Sequence, residues 1–153
     1  MLTQQQLDGY VAKSIGKICQ NGYTAITDDH GAHFVSHVLG YKFGITCQMM
    51  SHAKRLGASL RVQEIFSRCP VVGVWSLRPA SLSACLVFIT AVSHVNLVAK
   101  VMSNGPRKHV GIFFCGSVWH YSNSQRKVVK QSPAQFALHN PAPDNAMFYG
   151  SLP

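Results

Sequence analysis

The chain has 153 residues, 47% of them apolar and 12% charged, which suits one folded domain with a real core and excludes a disordered chain. Fourteen Lys and Arg stand against five Asp and Glu, and the formal charge of +9 points to an anionic partner or surface. The basic residues are thinly spread, densest in PRKH (106–109) and QRKVVK (125–130), and no zinc-finger, RNP or helix-turn-helix pattern accompanies them, so nucleic acid is not an expected partner.

In chain order, residues 2–20 read as a first helix with Leu7, Val11, Ile15 and Ile18 on one face. This start lacks the basic head and apolar core of a signal peptide, so synthesis in the cytoplasm is expected, with any action elsewhere needing another route. NGYTAITDD is a turn-rich approach to a second helix over 31–39, which Gly40 can end. GASLRVQEIFSRC (57–69) reads as a third, with Leu60, Ile65 and Phe66 inward and Pro70 closing it. The period then changes. VVGVWSL and CLVFITAV carry the β-branched and aromatic residues of strands, and NLVAKVM fits a strand or a short helical turn. KHVGIFFCG and SVWHYSN flank Gly116-Ser117, expected to be a tight hairpin turn. RKVVKQ and, after the Pro-rich HNPAPD, NAMFYGSL are further strands. Helices first and then a largely antiparallel sheet make an α+β fold. The apolar stretches ACLVFITAV and HVGIFF are too short to span a bilayer as helices, so no transmembrane segment is expected.

Five cysteines (Cys19, Cys47, Cys69, Cys85, Cys115) are widely spaced, with no CxxC pair, and read as reduced and mostly buried thiols. Among eight histidines two stand out. His109 opens HVGIFF and His120 lies on the partner strand, so a hairpin sets two imidazoles side by side as a base and its orienting partner. Such a pair needs a thiol or hydroxyl at the start of a packed helix, where the N-terminus lowers a thiol pKa and offers N–H groups to an oxyanion. That directs attention to DDHGAHFVSHVLG (28–40).

GAHFVSHVLG, ACLVFIT and HVGIFFCGSVWHYSNS, in this order over roughly residues 23–124, resemble the motifs of NlpC-like cysteine peptidases and amidases, papain-like enzymes related to the CHAP amidases. The resemblance implies a papain-like NlpC-type domain over 1–153, with N-terminal helices packed on an antiparallel sheet. It implies His109 as general base, His120 as the polar third member, and Tyr23 as a residue lining the site. The nucleophile falls on position 31, where the family has Cys and this chain has Gly31. Three accounts are open: a cysteine replaced by Gly31 to give an inactive form, a natural pseudoenzyme that binds without cutting, or a different thiol in the role, Cys47 or Cys115. Trp119, Tyr121 and Asn123 would flank the cleft beside His120. The reaction implied is amide hydrolysis through an acyl-thioenzyme, without metal or other cofactor. The implied substrate is the peptide stem of peptidoglycan, an anionic polymer suited to a basic protein. A small basic hydrolase of this kind resembles a delivered antibacterial toxin, which would act in a target cell's periplasm and meet an inhibitory immunity protein. An acyltransferase or lipid hydrolase on the same fold, and a non-catalytic binding module, are the rival readings.

Other groupings carry less. Asp28 and Asp29 diverge as neighbours and fit helix capping better than glycosidase chemistry. His30, His33 and His37 have some metal-ligand character, His33 and His37 being four apart on one helical face, but no HExxH glutamate accompanies them, and no metal is expected there. Lys100, Arg107 and Lys108 precede the His109 strand and read as a solvated edge.

Overall fold

A computed structural model describes residues 1–55 and 57–153. Among them the helices are α1 (Gln4–Asp8), α2 (Ile15–Ile18), α3 (Gly31–Leu39), α4 (Cys47–Ser51), α5 (Val62–Arg68) and α6 (Pro133–Ala137). The strands are β1 (Val72–Val74), β2 (Ala84–Ala91), β3 (Val95–Asn96), β4 (Val101–Met102), β5 (His109–Phe114), β6 (Ser117–Ser122), β7 (Lys127–Gln131) and β8 (Asn145–Gly150). Six strands form one antiparallel sheet in the order β1-β8-β2-β5-β6-β7, and β3 pairs with β4 apart from it. The chain is α+β, with α1 to α5 preceding the sheet and α6 between its strands β7 and β8. No helix among the described residues is long and apolar enough to cross a membrane.

The expected first helix is broken in two. Thr3 and Gln6 form a reciprocal capping box that starts α1, and Gly9 ends it. Ala12 then takes a left-handed φ of 70°, and its N–H donates to Val128 O of β7 at 2.9 Å, while Val128 N–H donates to Lys13 O at 3.0 Å. Pairing with a strand thus overrides the helical spacing, and Val11 is left exposed. The third helix is shorter than expected because Ser59 bridges to Thr46 before α5 begins. Val72–Val74 form a strand, but Trp75–Leu77 turn into a 3-10 helix. The 96–102 region is the two-residue β3–β4 pairing.

Sheet alternation divides the core. Leu86, Phe88, Val110, Ile112, Trp119, Tyr121 and Val128 join the cluster that α3 enters with Phe34 and Val35, both fully buried. Burying each of these two α3 side chains contributes roughly 1.5–3 kcal/mol. Cys85, Val87, Ile89, Phe113 and Val118 form a second cluster with Phe136 of α6. α3 therefore lies across β5 and β6, and its first turn meets the β5 end where His109 begins.

The hairpin turn sits one residue earlier than expected, on Cys115 (φ 46°) and Gly116 (φ 95°). Two left-handed residues give the twist of a primed turn, which matches the twist of the strands it joins. The register Phe114↔Ser117, Phe113↔Val118, Ile112↔Trp119 follows. Continued inward, it sets His120 opposite Gly111 and His109 diagonal to it. A β-carbon at Gly111 would lie 2.7 Å from Val118 Cγ1 and 3.1 Å from His120 Cβ. The bare backbone makes room for the Val118 side chain and lets His120 and Phe136 pack close.

Candidate active site

α3 starts at Gly31, and the Cβ direction of this residue faces His109. A β-carbon there would stand 2.7 Å from His109 Nδ1 and 2.8 Å from Cε1. The imidazole thus occupies the space that any larger residue at position 31 would need. His109 Nε2 lies 3.0 Å from His120 Nδ1, and His120 Nε2 lies 2.7 Å from Gln131 Oε1. His139 Nε2 reaches the same Gln131 oxygen at 2.8 Å.

These contacts fix the tautomers. An amide oxygen only accepts, so His120 carries its proton on Nε2 and presents a lone pair at Nδ1. His109 then donates from Nε2, which leaves its Nδ1 lone pair aimed at position 31. Both rings are buried, and Phe136 stacks on His109 with ring centroids 5.5 Å apart. Burial pulls the His109 pKa below the usual histidine range, and the nearby Asp29 carboxylate opposes this. Burial, and then the neighbouring His109, push His120 down to about 3. The pair is neutral at pH 7, the protonation state a general base requires.

The helix start is more occupied than a free oxyanion hole. Gly31 N–H donates to Asp29 Oδ1 at 2.8 Å, and His30 N–H donates to Asn123 Oδ1 at 3.0 Å. Asn123 Nδ2 donates to Asp29 Oδ1 at 3.1 Å, closing the arrangement. Asp29, Asn123 and His109 line one cleft of about 260 Å³ with Ser124, His139 and Asn140. On the other side of Asn123 a second hollow of about 290 Å³ is lined by Asp28, His30, Tyr121 and Arg126, among others.

Gly31, His109 and His120 are thus brought together, with Asn123 at the rim. Tyr121 borders the second hollow, its hydroxyl accepting from Ile15 N–H at 3.3 Å. Trp119 is placed elsewhere: it is on the opposite sheet face from His120, fully buried, and donates from Nε1 to Asp8 Oδ1 at 3.1 Å. Tyr23 sets its ring edge against His30 and His33 beneath the helix start, 5.8 and 5.5 Å between centroids. Cys47 is fully buried, and Cys115 sits at the hairpin turn, the far end of β5 from His109. Lys108 folds onto Asn104 and Gly105, and Lys100 reaches Pro70 O. Arg126 lines the second hollow, and Lys108 is near enough to the cleft's Asp29 to feel its charge.

Gln131, His139 and Phe136 escaped sequence reasoning. Strand parity in RKVVKQ carried a signal for Gln131, which pairs with Val118 on the face of His120. His139 follows α6, a helix with no apolar period to announce it. His33 and His37 also meet Cys19 and Cys47, which lie 14 residues before His33 and ten after His37. No family model, curated protein or solved structure matches the chain.

Proposed function

We propose that this chain has the active-site plan of a papain-like, NlpC-type cysteine amidase or endopeptidase, with Gly31 at the place of the nucleophile. One observation carries the reading: the side-chain direction of position 31, at the first turn of a packed helix, points at the His109 Nδ1 lone pair, whose tautomer His120 and Gln131 dictate. A thiol at position 31 would pass its proton to His109 Nδ1 as sulfur attacks an amide carbonyl. The leaving amine would take that proton, and water, deprotonated by His109, would hydrolyse the thioester. His120 is a positioning residue that steadies the imidazolium. Asp29 and Asn123 would release the helix N–H groups to the oxyanion as substrate enters.

The substrate class we propose is the peptide stem of peptidoglycan, in keeping with the charge of +9. The role is that of a delivered toxin acting in a target cell's periplasm, held in check by an immunity protein. This step rests on the resemblance. The test is to digest purified peptidoglycan, and separately phospholipid vesicles, with Gly31→Cys and with Gly31→Cys/His109→Ala. Release of peptide fragments by the first variant and not the second supports the reading. Lipid cleavage alone moves the function to an acyltransferase or lipid hydrolase. No turnover of either substrate by a folded Gly31→Cys protein overturns the enzyme reading.

A second reading draws on the occupied helix start. With Asp29 on the Gly31 N–H and the imidazole closed against the glycine, the chain as it stands suits binding without cleavage. Retention of intact peptidoglycan by the unaltered protein, lost on Asn123→Ala, would favour it.

A further inference from the structure

Behind the helix start, a second set of side chains has no part in the proposed hydrolysis. Cys19 follows α2, His33 and His37 lie one turn apart on α3, and Cys47 opens α4. Their ligand atoms all fall within 4.8 Å of one another. Cys19, His33 and Cys47 are buried, and His37 is half-buried. We infer that these four residues form a closed, tetrahedral Cys₂His₂ site for one zinc ion, which ties the three helices together.

The distances suit that ion. With Zn–N near 2.0–2.1 Å and Zn–S near 2.3 Å, the edges of a tetrahedron are about 3.3 Å for N···N, 3.6 Å for N···S and 3.8 Å for S···S. His33 Nε2 and His37 Nε2 are 3.1 Å apart, and Cys47 Sγ and His37 Nε2 are 3.9 Å apart. Two thiolates and two imidazoles in this arrangement select zinc over hard cations. Their charges cancel those of the ion, so the filled site buries no net charge.

The groups around the site are arranged for metal. His30 donates from Nε2 to Ala25 O at 2.8 Å, so its Nδ1 is an acceptor, 3.0 Å from His33 Nδ1. His33 must therefore be protonated on Nδ1, and its Nε2 lone pair faces the cluster. A carbonyl–histidine–histidine chain of this kind orients a ligand as second-shell groups do in zinc sites. Both sulfurs accept N–H groups: Ala58 N–H reaches Cys47 Sγ at 3.2 Å, Asn21 Nδ2 reaches it at 3.4 Å, and Asn21 N–H reaches Cys19 Sγ at 3.4 Å. These N–H groups are the outer-shell donors that a metal-bound sulfur would accept. A hollow lined by Ile18, Gln20, Asn21, His37 and Arg55 opens beside His37 and gives an ion a way in.

The function of the ion is structural, since four protein ligands leave no open position. α2 and α4 have four and five residues, too few to hold themselves as helices in water. A metal bound by both of their ends and by α3 supplies that order, and binding releases two thiol protons to solvent.

The test uses the full chain, purified under reducing conditions without chelator. Elemental analysis is expected to give about one zinc per chain, and X-ray absorption a mixed shell of sulfur near 2.3 Å and nitrogen near 2.0 Å. Cobalt exchange is expected to give the intense visible bands of tetrahedral geometry with thiolate charge transfer. Cys47→Ser should weaken cobalt binding at least 10-fold, and His109→Ala should leave it unchanged. Three results overturn the inference. One is a wild-type chain that binds neither metal above background. Another is a bound metal with an all-oxygen or nitrogen shell. The third is a Cys19–Cys47 disulfide in the freshly reduced and purified protein. Because the wild-type measurements stand alone, a Cys47→Ser protein that fails to fold does not decide the matter.

Discussion

Two histidine chains run through this small molecule, and they end differently. In one, Gln131 Oε1 sets His120, His120 sets His109, and the His109 lone pair points at Gly31 beside a cleft. In the other, Ala25 O sets His30, His30 sets His33, and the His33 lone pair points at His37 and two thiols in a buried cluster. Both use a carbonyl-type acceptor to force a tautomer through two rings. The difference lies in what the last nitrogen faces and in who can reach it. A lone pair beside a cleft can take a proton from a reacting group, whereas one enclosed by two cysteine sulfurs and a second imidazole is placed to bind a metal. The chains meet at the first turn of α3, which carries both Gly31 and His33.

The largest effect is expected where the enclosed chain is broken. Stripping the metal, or Cys47→Ser, should cost more than about 3 kcal/mol and lower Tm by roughly 10 °C, measured by calorimetry with and without chelator. His109→Ala should leave that metal dependence intact, and a shared loss would collapse the distinction between the two chains.

Next comes the open chain. In a Gly31→Cys background, His109→Ala should lower peptide release from peptidoglycan by at least about 1,000-fold, read by chromatography of the fragments. The β-carbon itself must displace His109, so Gly31→Cys should lose about 1–3 kcal/mol in denaturant melts.

Gln131→Leu sharpens the tautomer argument. It leaves the N–H groups of His120 and His139 without their acceptor, at a cost of about 1–3 kcal/mol. In the Gly31→Cys background it should also reduce kcat about 10- to 100-fold with little change in KM, whereas a merely structural role would lower the folded fraction and leave kcat per folded molecule unchanged. Glutamate at 131, which retains an acceptor, should restore part of the rate.

The smallest effect is acid sensitivity. His120 is held near 3 in the folded chain against about 6.5 unfolded, so its neutral form contributes fully above pH 6.5. That contribution declines as the pH falls from 6.5 toward 3, because the unfolded chain takes up the proton first. Denaturant melts at pH 7 and pH 5 should differ by about 1–2 kcal/mol from this group, and His120→Asn should remove that share.

The sequence exposed both histidines of the open chain, but of the enclosed cluster it showed only the histidine spacing and not the two cysteines, for a physical reason. His109 and His120 lie within one hairpin, so the period of two and a turn suffice to pair them, even with the turn placed one residue late. α3 and its Gly40 terminus were equally local. Cys19 and Cys47 stand 28 positions apart, and only the packing of α2 and α4 around α3 joins them to His33 and His37. The break between α1 and α2 was hidden likewise, because it is Val128 of β7, far along the chain, that claims the backbone of Ala12 and Lys13. Trp119 shows the opposite hazard: adjacency to His120 in sequence means the opposite face in a strand.

The central claim is that position 31 faces a primed imidazole. Its most direct test is the alkylation rate of the thiol in Gly31→Cys as a function of pH. The account predicts a thiol pKa at least one unit below the ordinary value of about 8.5, returning toward it when His109→Ala is added. A thiol that titrates at its ordinary value, indifferent to His109, would contradict the account.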